Sequence, residues 1–165
     1  MVSKEIYELI QQNKVSDLYK KFIKYFEWID EWADKMIDGD LLDENELTYM
    51  LDKSTAIFAK LCVIVNALES YVERELYNEE SKFYKELDRV RTQDTSQAKA
   101  HARASVSDLR DYLADFKSYL QASQQNITTA QSRLKRLTVE KGARGVDFTG
   151  DINNVKENNV SWDNE

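Results

Sequence analysis

The densest group of side chains that could do chemistry lies in the run SRLKRLTVEKGARG, residues 132–145. Five cations there face a single acid, Glu140. The cations are Arg133, Lys135, Arg136, Lys141 and Arg144. Such a cluster can contact the phosphates of a nucleic acid. The cations can also stabilise the end of their own helix, by interacting with the negative end of its dipole, although two cations would be enough for that. The sequence leaves both interpretations open.

A second basic strip lies in QAKAHARAS, where Lys99 and Arg103 share one side of a predicted helix and no acid interrupts the chain between Asp94 and Asp108. Within one chain the two strips would lie far apart, whereas in an oligomer they could line the same surface. The predicted nucleic-acid-binding residues are therefore Lys99, Arg103, Arg133, Lys135, Arg136, Lys141 and Arg144.

Charge is segregated along this acidic chain, whose formal net charge is −7. The basic run carries +4, and the residues after Arg144 carry −4. The two ends cancel formally, so the net charge hides a local excess of cations. Because hydrophobic periodicity also ceases there, we predict that residues 142–165 form a flexible acidic tail.

No arrangement of residues typical of catalysis occurs in the sequence. It contains no nucleotide-binding glycine loop, no HExxH and no CxxC, and it has one histidine and one cysteine. The acidic segment DGDLLDENE lacks the ligand and the glycine that a calcium loop needs. We therefore predict no enzyme activity, no catalytic residues, no metal site and no cofactor.

Long helices must position these side chains, because the sequence has no proline and only four glycines. The last helix shows the clearest pattern, with positions from Ala102 to Leu137 recurring at alternating steps of four and three. This spacing predicts a coiled-coil seam, in which Ser123 is the weak place. The predicted residues of this oligomer or coiled-coil seam are Val106, Leu109, Leu113, Phe116, Leu120, Ile127, Leu134 and Leu137.

The remaining pattern predicts an all-α fold, a long antiparallel helical hairpin or bundle, with one domain over residues 1–141. We expect an N-terminal helix over 3–37, with a break or kink at Asn13 as an alternative. Further helices are predicted over 44–90 and 95–141. Asp43 and Glu46 have the spacing of a capping box, which predicts where the second helix starts.

A soluble cytoplasmic protein fits the rest of the composition. The lone Cys62, in an apolar stretch, is expected to be a buried and inert thiol, and it excludes an intrachain disulfide. The longest apolar run, Ala56–Leu68, is interrupted by Lys60 and Asn66 and is too short to cross a bilayer. We expect no membrane partner, and localisation in the host cytoplasm if the chain is phage-encoded.

Residues 61–137 resemble the UvsY-type recombination mediators of tailed phages. The resemblance rests on NALESYVEREL, a charged connection, SQAKAHARASVSDLRDYL and TTAQSRLKRL. The matching positions are Ser96, Lys99, Ala130, Ser132 and Arg133. A basic pair that the family carries on the preceding helix corresponds here to Val65 and Ala67, so the resemblance implies a DNA contact that has moved or been lost.

What the resemblance implies is a homo-oligomeric, all-helical protein that binds single-stranded DNA and helps to load a recombinase onto strands coated by a single-strand-binding protein. The leading hypothesis is such an accessory protein of phage-type recombination or replication, acting by binding. The alternatives are a coiled-coil protein-interaction or virion-assembly component, and an acidic inhibitor of a host nucleic-acid-binding enzyme.

Overall fold

The computed structural model describes residues 2–37, 43–86 and 95–145, and over these ranges the chain is all-α, as predicted, with five helices and no strand. In chain order the helices are α1 (Val2–Gln11), α2 (Val15–Ile37), α3 (Glu44–Glu86), α4 (Thr95–Ser105) and α5 (Ser107–Gly145). The predicted flexible tail lies outside the described residues from position 146 onward.

The first predicted helix, 3–37, is in fact two helices, which corrects the single-helix prediction in favour of the break at Asn13. Asn13 has φ 57°, a left-handed conformation that asparagine tolerates better than most residues. Its amide bonds to the carbonyl of Ile10, and the Lys14 amide bonds to that of Leu9. These two bonds form a Schellman motif, which ends α1 and lets α2 start in a new direction.

The last predicted helix, 95–141, differs from the structure at two points. It is interrupted at Val106, where two serines and a β-branched residue lower helix propensity and the Ser105 hydroxyl bonds back to the His101 carbonyl. It also continues through Gly142 to Gly145, because one glycine weakens a helix by about 1 kcal/mol without stopping it.

The start of α3 confirms the predicted capping box. The Asp43 carboxylate accepts a hydrogen bond from the Glu46 amide at 2.8 Å, and Glu46 accepts one from the Asp43 amide at 3.0 Å. The helix is described as far as Glu86, so the last four residues of the predicted range 44–90 lie outside the described part. Cys62 is half-buried within α3, rather than fully buried as expected.

The three long helices pack side by side. Lys117 of α5 pairs with Glu69 of α3, whereas the later residue Ser123 contacts the earlier residue Ser54, so α3 and α5 run antiparallel. Asn126 donates a hydrogen bond to the Ile29 carbonyl at 3.1 Å. Because Tyr119 and Arg133 contact progressively later parts of α2, that helix runs parallel to α5.

The predicted seam is packed within the chain, against α2 and α3. Val106, Phe116 and Ile127 are buried, and the other five seam residues are half-buried. Phe116 is fully enclosed and meets the rings of Tyr19, Phe22 and Phe26 edge-on at centroid distances of 5.8, 5.9 and 5.5 Å. Ser123, the weak place in the pattern, is buried and donates a hydrogen bond to the Ser54 carbonyl at 3.2 Å.

Among the described helices, α3 alone is long and apolar enough to cross a membrane by length and composition. That criterion is weak, because the core helix of a globular domain also meets it. Its apolar face includes Leu61, Ile64 and Leu68, which have no exposed surface in the fold.

The position of Phe116 predicts a large loss of stability on truncation. Phe116→Ala should lower the free energy of unfolding by about 3–5 kcal/mol, because it leaves a cavity between α2, α3 and α5. Urea unfolding followed by circular dichroism measures this change. Val139→Ala is the control, because Val139 is 64% exposed and should change stability by less than about 0.5 kcal/mol. Equal effects from both variants would contradict this packing.

Candidate nucleic-acid interface

The structure places the predicted cations at two distant ends of the molecule. Lys99 and Arg103 are exposed on α4, and Lys135 and Arg136 are exposed on α5. Roughly thirty residues of nearly continuous helix separate the two groups, which is about 45 Å at the rise of an α-helix. Lys141 and Arg144 belong to α5, but their side chains lie outside the described part of the structure. One chain therefore does not bring the two strips together.

Arg133 has a structural contact that its sequence position did not indicate. Its guanidinium donates a hydrogen bond of 2.7 Å to the carbonyl of Met36, in the last turn of α2. Carbonyls in the last turn of a helix have no partner within that helix, and a cation there also meets the negative end of the dipole. Arg133 thus caps α2, so this contact is neither the capping of its own helix nor the binding of an anion that the sequence suggested.

A more concentrated group of cations lies on the flank of α2 that faces α3. Lys20, Lys21 and Lys24 from α2 and Lys60 from α3 surround a hollow of about 580 Å³. Farther along the same flank, Lys35 of α2 and Lys53 of α3 follow. We call this surface the basic groove. It is made of Lys20, Lys21, Lys24, Tyr25, Trp28, Trp32, Lys35, Tyr49, Lys53 and Lys60.

Aromatic rings alternate with the lysines of the basic groove. The ammonium groups of Lys24 and Lys60 lie 5.2 and 5.1 Å from the centre of the Tyr25 ring. Lys53 lies 4.6 Å from the Trp28 ring, and its ammonium group donates a hydrogen bond to the Tyr49 hydroxyl at 3.3 Å. These distances are within the range of cation–π attraction, which holds each lysine close to a ring.

The far end of the groove repeats this arrangement. Lys35 lies 4.6 Å from the Trp32 ring, which in turn meets the Tyr49 ring at 6.5 Å. As α2 advances from Tyr25 to Trp32, its partners on α3 recede from Lys60 to Tyr49, so the two helices run antiparallel along the groove. From Lys20 to Lys35 the groove extends about 22 Å.

Three acids moderate the charge of the basic groove. Glu5 of α1 pairs with Lys21 at 2.6 Å, and this contact lowers the pKa of the Glu5 carboxyl. Glu31 pairs with Lys35 at 2.8 Å, and Glu27 lines the hollow. Six lysines against three acids leave the groove with a net positive charge in a protein of overall charge −7.

The opposite flank of α2, which faces α5, is acidic. Asp108, Asp111 and Asp115 follow one another on α5, with Tyr112 between them. Two tyrosines, Tyr19 of α2 and Tyr119 of α5, lie between these two helices. Burial, together with the nearby Asp115 carboxylate, raises the pKa of Tyr19. Burial and the Asp30 carboxylate, which accepts its hydrogen bond at 3.2 Å, raise the pKa of Tyr119. Cations and acids thus lie on opposite sides of one helix.

Sequence reasoning missed the basic groove, although part of the signal was present. KKFIKYFEWIDEW places three lysines near three of its five aromatic rings, Tyr25, Trp28 and Trp32, at helical spacing. Lys53 and Lys60 come from another helix, however, so their pairing with Trp28 and Tyr25 depends on the α2–α3 register. Tyr112 and Tyr119 flank the seam of α5 and lie half-buried against the core, where the Tyr119 ring stacks on the Phe26 ring at a centroid distance of 4.0 Å.

Within the described helices, no three His, Cys, Asp or Glu side chains come close enough to hold a metal ion. His101, the single histidine, is exposed and contacts the ring of Phe83 at 5.4 Å. Val65 and Ala67, the positions aligned with the basic pair of the mediator family, are buried in the core.

Comparison with known proteins adds no relative, since no family model, curated protein or solved structure matches the chain. The resemblance to UvsY-type mediators therefore stays a prediction.

The raised pKa values of Tyr19 and Tyr119 predict a loss of stability at alkaline pH. In the unfolded chain these tyrosines lose their protons near the usual pKa of 10.0, whereas in the fold they keep them to higher pH. The folded state then binds more protons, so the free energy of unfolding falls as the pH rises above about 10.

Urea unfolding at pH 9 to 11.5 measures this change. The free energy of unfolding should fall less with pH in the double variant Tyr19→Phe/Tyr119→Phe than in the wild-type protein. Tyr7→Phe, at an exposed tyrosine, is the matched control and should keep the wild-type slope. If the free energy of unfolding of the double variant falls with pH as steeply as that of the wild type, the hydroxyls of Tyr19 and Tyr119 do not cause the alkaline loss of stability.

The contact between Arg133 and Met36 predicts that this arginine supports α2. Arg133→Gln should lower the free energy of unfolding by about 1–2 kcal/mol, through loss of a charge-assisted cap. Arg136→Gln, at an exposed neighbour, should change stability by less than about 0.5 kcal/mol. Thermal or urea unfolding of the two variants measures this difference. If Arg133 only lay on the surface, both substitutions would lower the free energy of unfolding by equally small amounts.

Proposed function

We propose that this protein binds single-stranded nucleic acid and acts by binding, without catalysis. The observation that carries the proposal is the basic groove, where lysines and aromatic rings alternate over about 22 Å between α2 and α3. Proteins that bind single strands combine a positive groove, which follows the phosphates, with rings on which bases stack.

The groove supplies both components of such binding. Its ammonium groups can neutralise phosphates and release the counterions condensed on them. Tyr49 is 55% exposed and Trp28 is half-exposed, so part of each ring is available to a base. Because the protein as a whole is acidic, binding depends on this local excess of cations and weakens as salt screens it.

We place this activity in phage-type recombination or replication, as an accessory protein that loads a recombinase onto strands coated by a single-strand-binding protein. The segment order of residues 61–137 supports this finer proposal. A homo-oligomer belongs to it, in which the distant cations Lys99, Arg103, Lys135 and Arg136 could line the same surface. Since Val65 and Ala67 are buried, the strand would bind elsewhere than in the mediator family.

A second candidate function is suggested by the acidic flank, where Asp108, Asp111 and Asp115 lie together. A row of carboxylates can occupy a basic cleft in place of nucleic acid, as expected for an acidic inhibitor of a nucleic-acid-binding enzyme. A coiled-coil interaction or virion-assembly component is the further alternative. The two flanks make different predictions, because only the basic groove should give binding to an isolated oligonucleotide.

Binding is tested by titrating a labelled thymidine oligonucleotide with the protein and following fluorescence anisotropy at several salt concentrations. We expect binding at low salt that weakens steadily as salt rises. In a plot of the logarithm of the binding constant against the logarithm of the salt concentration, the slope should be roughly −0.7 for each phosphate neutralised. Absence of binding at low salt, or affinity independent of salt, would contradict the proposal. Dextran sulfate, a polyanion without bases, is the control and should bind more weakly.

Base stacking has a separate readout in tryptophan fluorescence. In a Trp162→Phe background only Trp28 and Trp32 report, since the sequence has three tryptophans. We expect the oligonucleotide to quench this emission and dextran sulfate to leave it nearly unchanged. Equal responses to both polyanions would mean that the rings take no part in binding.

A further inference from the structure

We propose that the hollow between Lys20, Lys24 and Lys60 is the subsite that anchors the phosphates of a single strand in the basic groove. This inference rests on the proposed function and names the place where the strand is held. The hollow has a volume of about 580 Å³ and is lined by Lys20, Lys21, Lys24, Tyr25 and Lys60 among others. None of its lysines was among the cations predicted from the sequence to bind nucleic acid.

The lysines of the hollow differ in their existing partners. Within the described part of the chain, Lys20, Lys24 and Lys60 form no ion pair. Lys21 is already neutralised by Glu5. Glu27 also lines the hollow, so three unpaired ammonium groups share it with one carboxylate. The hollow therefore has cationic charge that no protein group in the described helices neutralises.

Geometry holds two of these charges close to one another. The ammonium groups of Lys24 and Lys60 both lie about 5 Å from the centre of the Tyr25 ring, so they are at most about 10 Å apart. Because that separation is no greater than the Debye length at 0.1 M salt, which is about 10 Å, salt screens the repulsion between the two charges only in part. A phosphate between them would replace this repulsion with attraction to both.

Lys60 lies at a position that is costly for a lysine. It interrupts the most apolar stretch of α3, and its side chain is half-buried beside α2. A lysine in such a place loses side-chain entropy and part of its hydration. The Tyr25 ring offsets some of this cost, and a bound phosphate would offset more. Ile23, which is 40% exposed at the rim, offers an apolar surface to a sugar or base.

The test compares variants that change charge in the hollow in opposite directions. Lys24→Gln/Lys60→Gln removes two unpaired cations, and should weaken binding of a thymidine oligonucleotide about tenfold at low salt and lower the salt slope by about 1.4. Glu5→Gln frees Lys21, and should tighten binding and raise the slope by about 0.7. Lys24→Arg/Lys60→Arg keeps both charges and should keep the wild-type slope.

The matched control, Lys85→Gln/Arg110→Gln, removes two exposed cations outside the basic groove and should leave both affinity and slope near the wild-type values. A separate variant, Lys99→Gln/Arg103→Gln/Lys135→Gln/Arg136→Gln, tests the rival site on the cations at the ends of the molecule. Urea midpoints of all variants show that each is folded, and sedimentation shows its oligomeric state. The neutral backbone of a methylphosphonate oligonucleotide provides a second control, because on it the Lys24→Gln/Lys60→Gln variant should lose nothing further relative to wild type.

The outcomes separate this inference from the proposed function. If wild-type protein does not bind the oligonucleotide, the proposed function is wrong. If it binds, but Lys24→Gln/Lys60→Gln and Glu5→Gln both keep the wild-type slope, nucleic-acid binding stands and the hollow is not the anchor. If the four-residue variant at the ends of the molecule alone loses binding, the strand lies on those cations, which also overturns the assignment to the hollow.

Discussion

The fold depends on one constraint: α5 must bury a single face against two helices that run in opposite directions. Phe116 lies where that face meets both, and its contacts with Tyr19, Phe22 and Phe26 join α2 to the core. Hydrogen bonds near this apolar contact fix how α2 and α5 are aligned. Asn126 and Arg133, seven residues apart on α5, bond to the Ile29 and Met36 carbonyls, which are seven residues apart on α2. The spacing sets the register and the rotation of α2.

The rotation of α2 determines where charge appears. With Phe22 and Ile29 turned into the core, the lysines of α2 lie on the flank toward α3, whereas Tyr19 and Asp30 lie on the flank toward α5. The Asp115 carboxylate of α5 then lies beside Tyr19 of α2, and the Asp30 carboxylate of α2 accepts a hydrogen bond from Tyr119 of α5. On the other flank, the lysines of α3 contact the rings of Tyr25 and Trp28. Segregation of charge across one helix is thus a consequence of packing, and it allows an acidic protein to present a basic groove.

Several features could be predicted from the sequence because their causes are local. The seam of α5 follows from periodicity, the start of α3 from the spacing of Asp43 and Glu46, and the break at Asn13 from the tolerance of asparagine for a left-handed backbone. Arg133 could not be assigned in this way, since the carbonyl that it caps is 97 residues distant in sequence. The same is true of Lys53 and Lys60, whose rings come from another helix.

The cation–π contacts of the groove also bear on how a strand could bind there. A free lysine samples many rotamers, and ordering it on a phosphate costs conformational entropy. Here Tyr25, Trp28 and Trp32 already restrict the ammonium groups of Lys24, Lys53 and Lys35, so less of that cost remains at the moment of binding. The rings therefore have two effects that need not compete. They hold the cations in position before a strand arrives, and the exposed parts of the Tyr25 and Trp28 rings remain available to the bases that follow the phosphates.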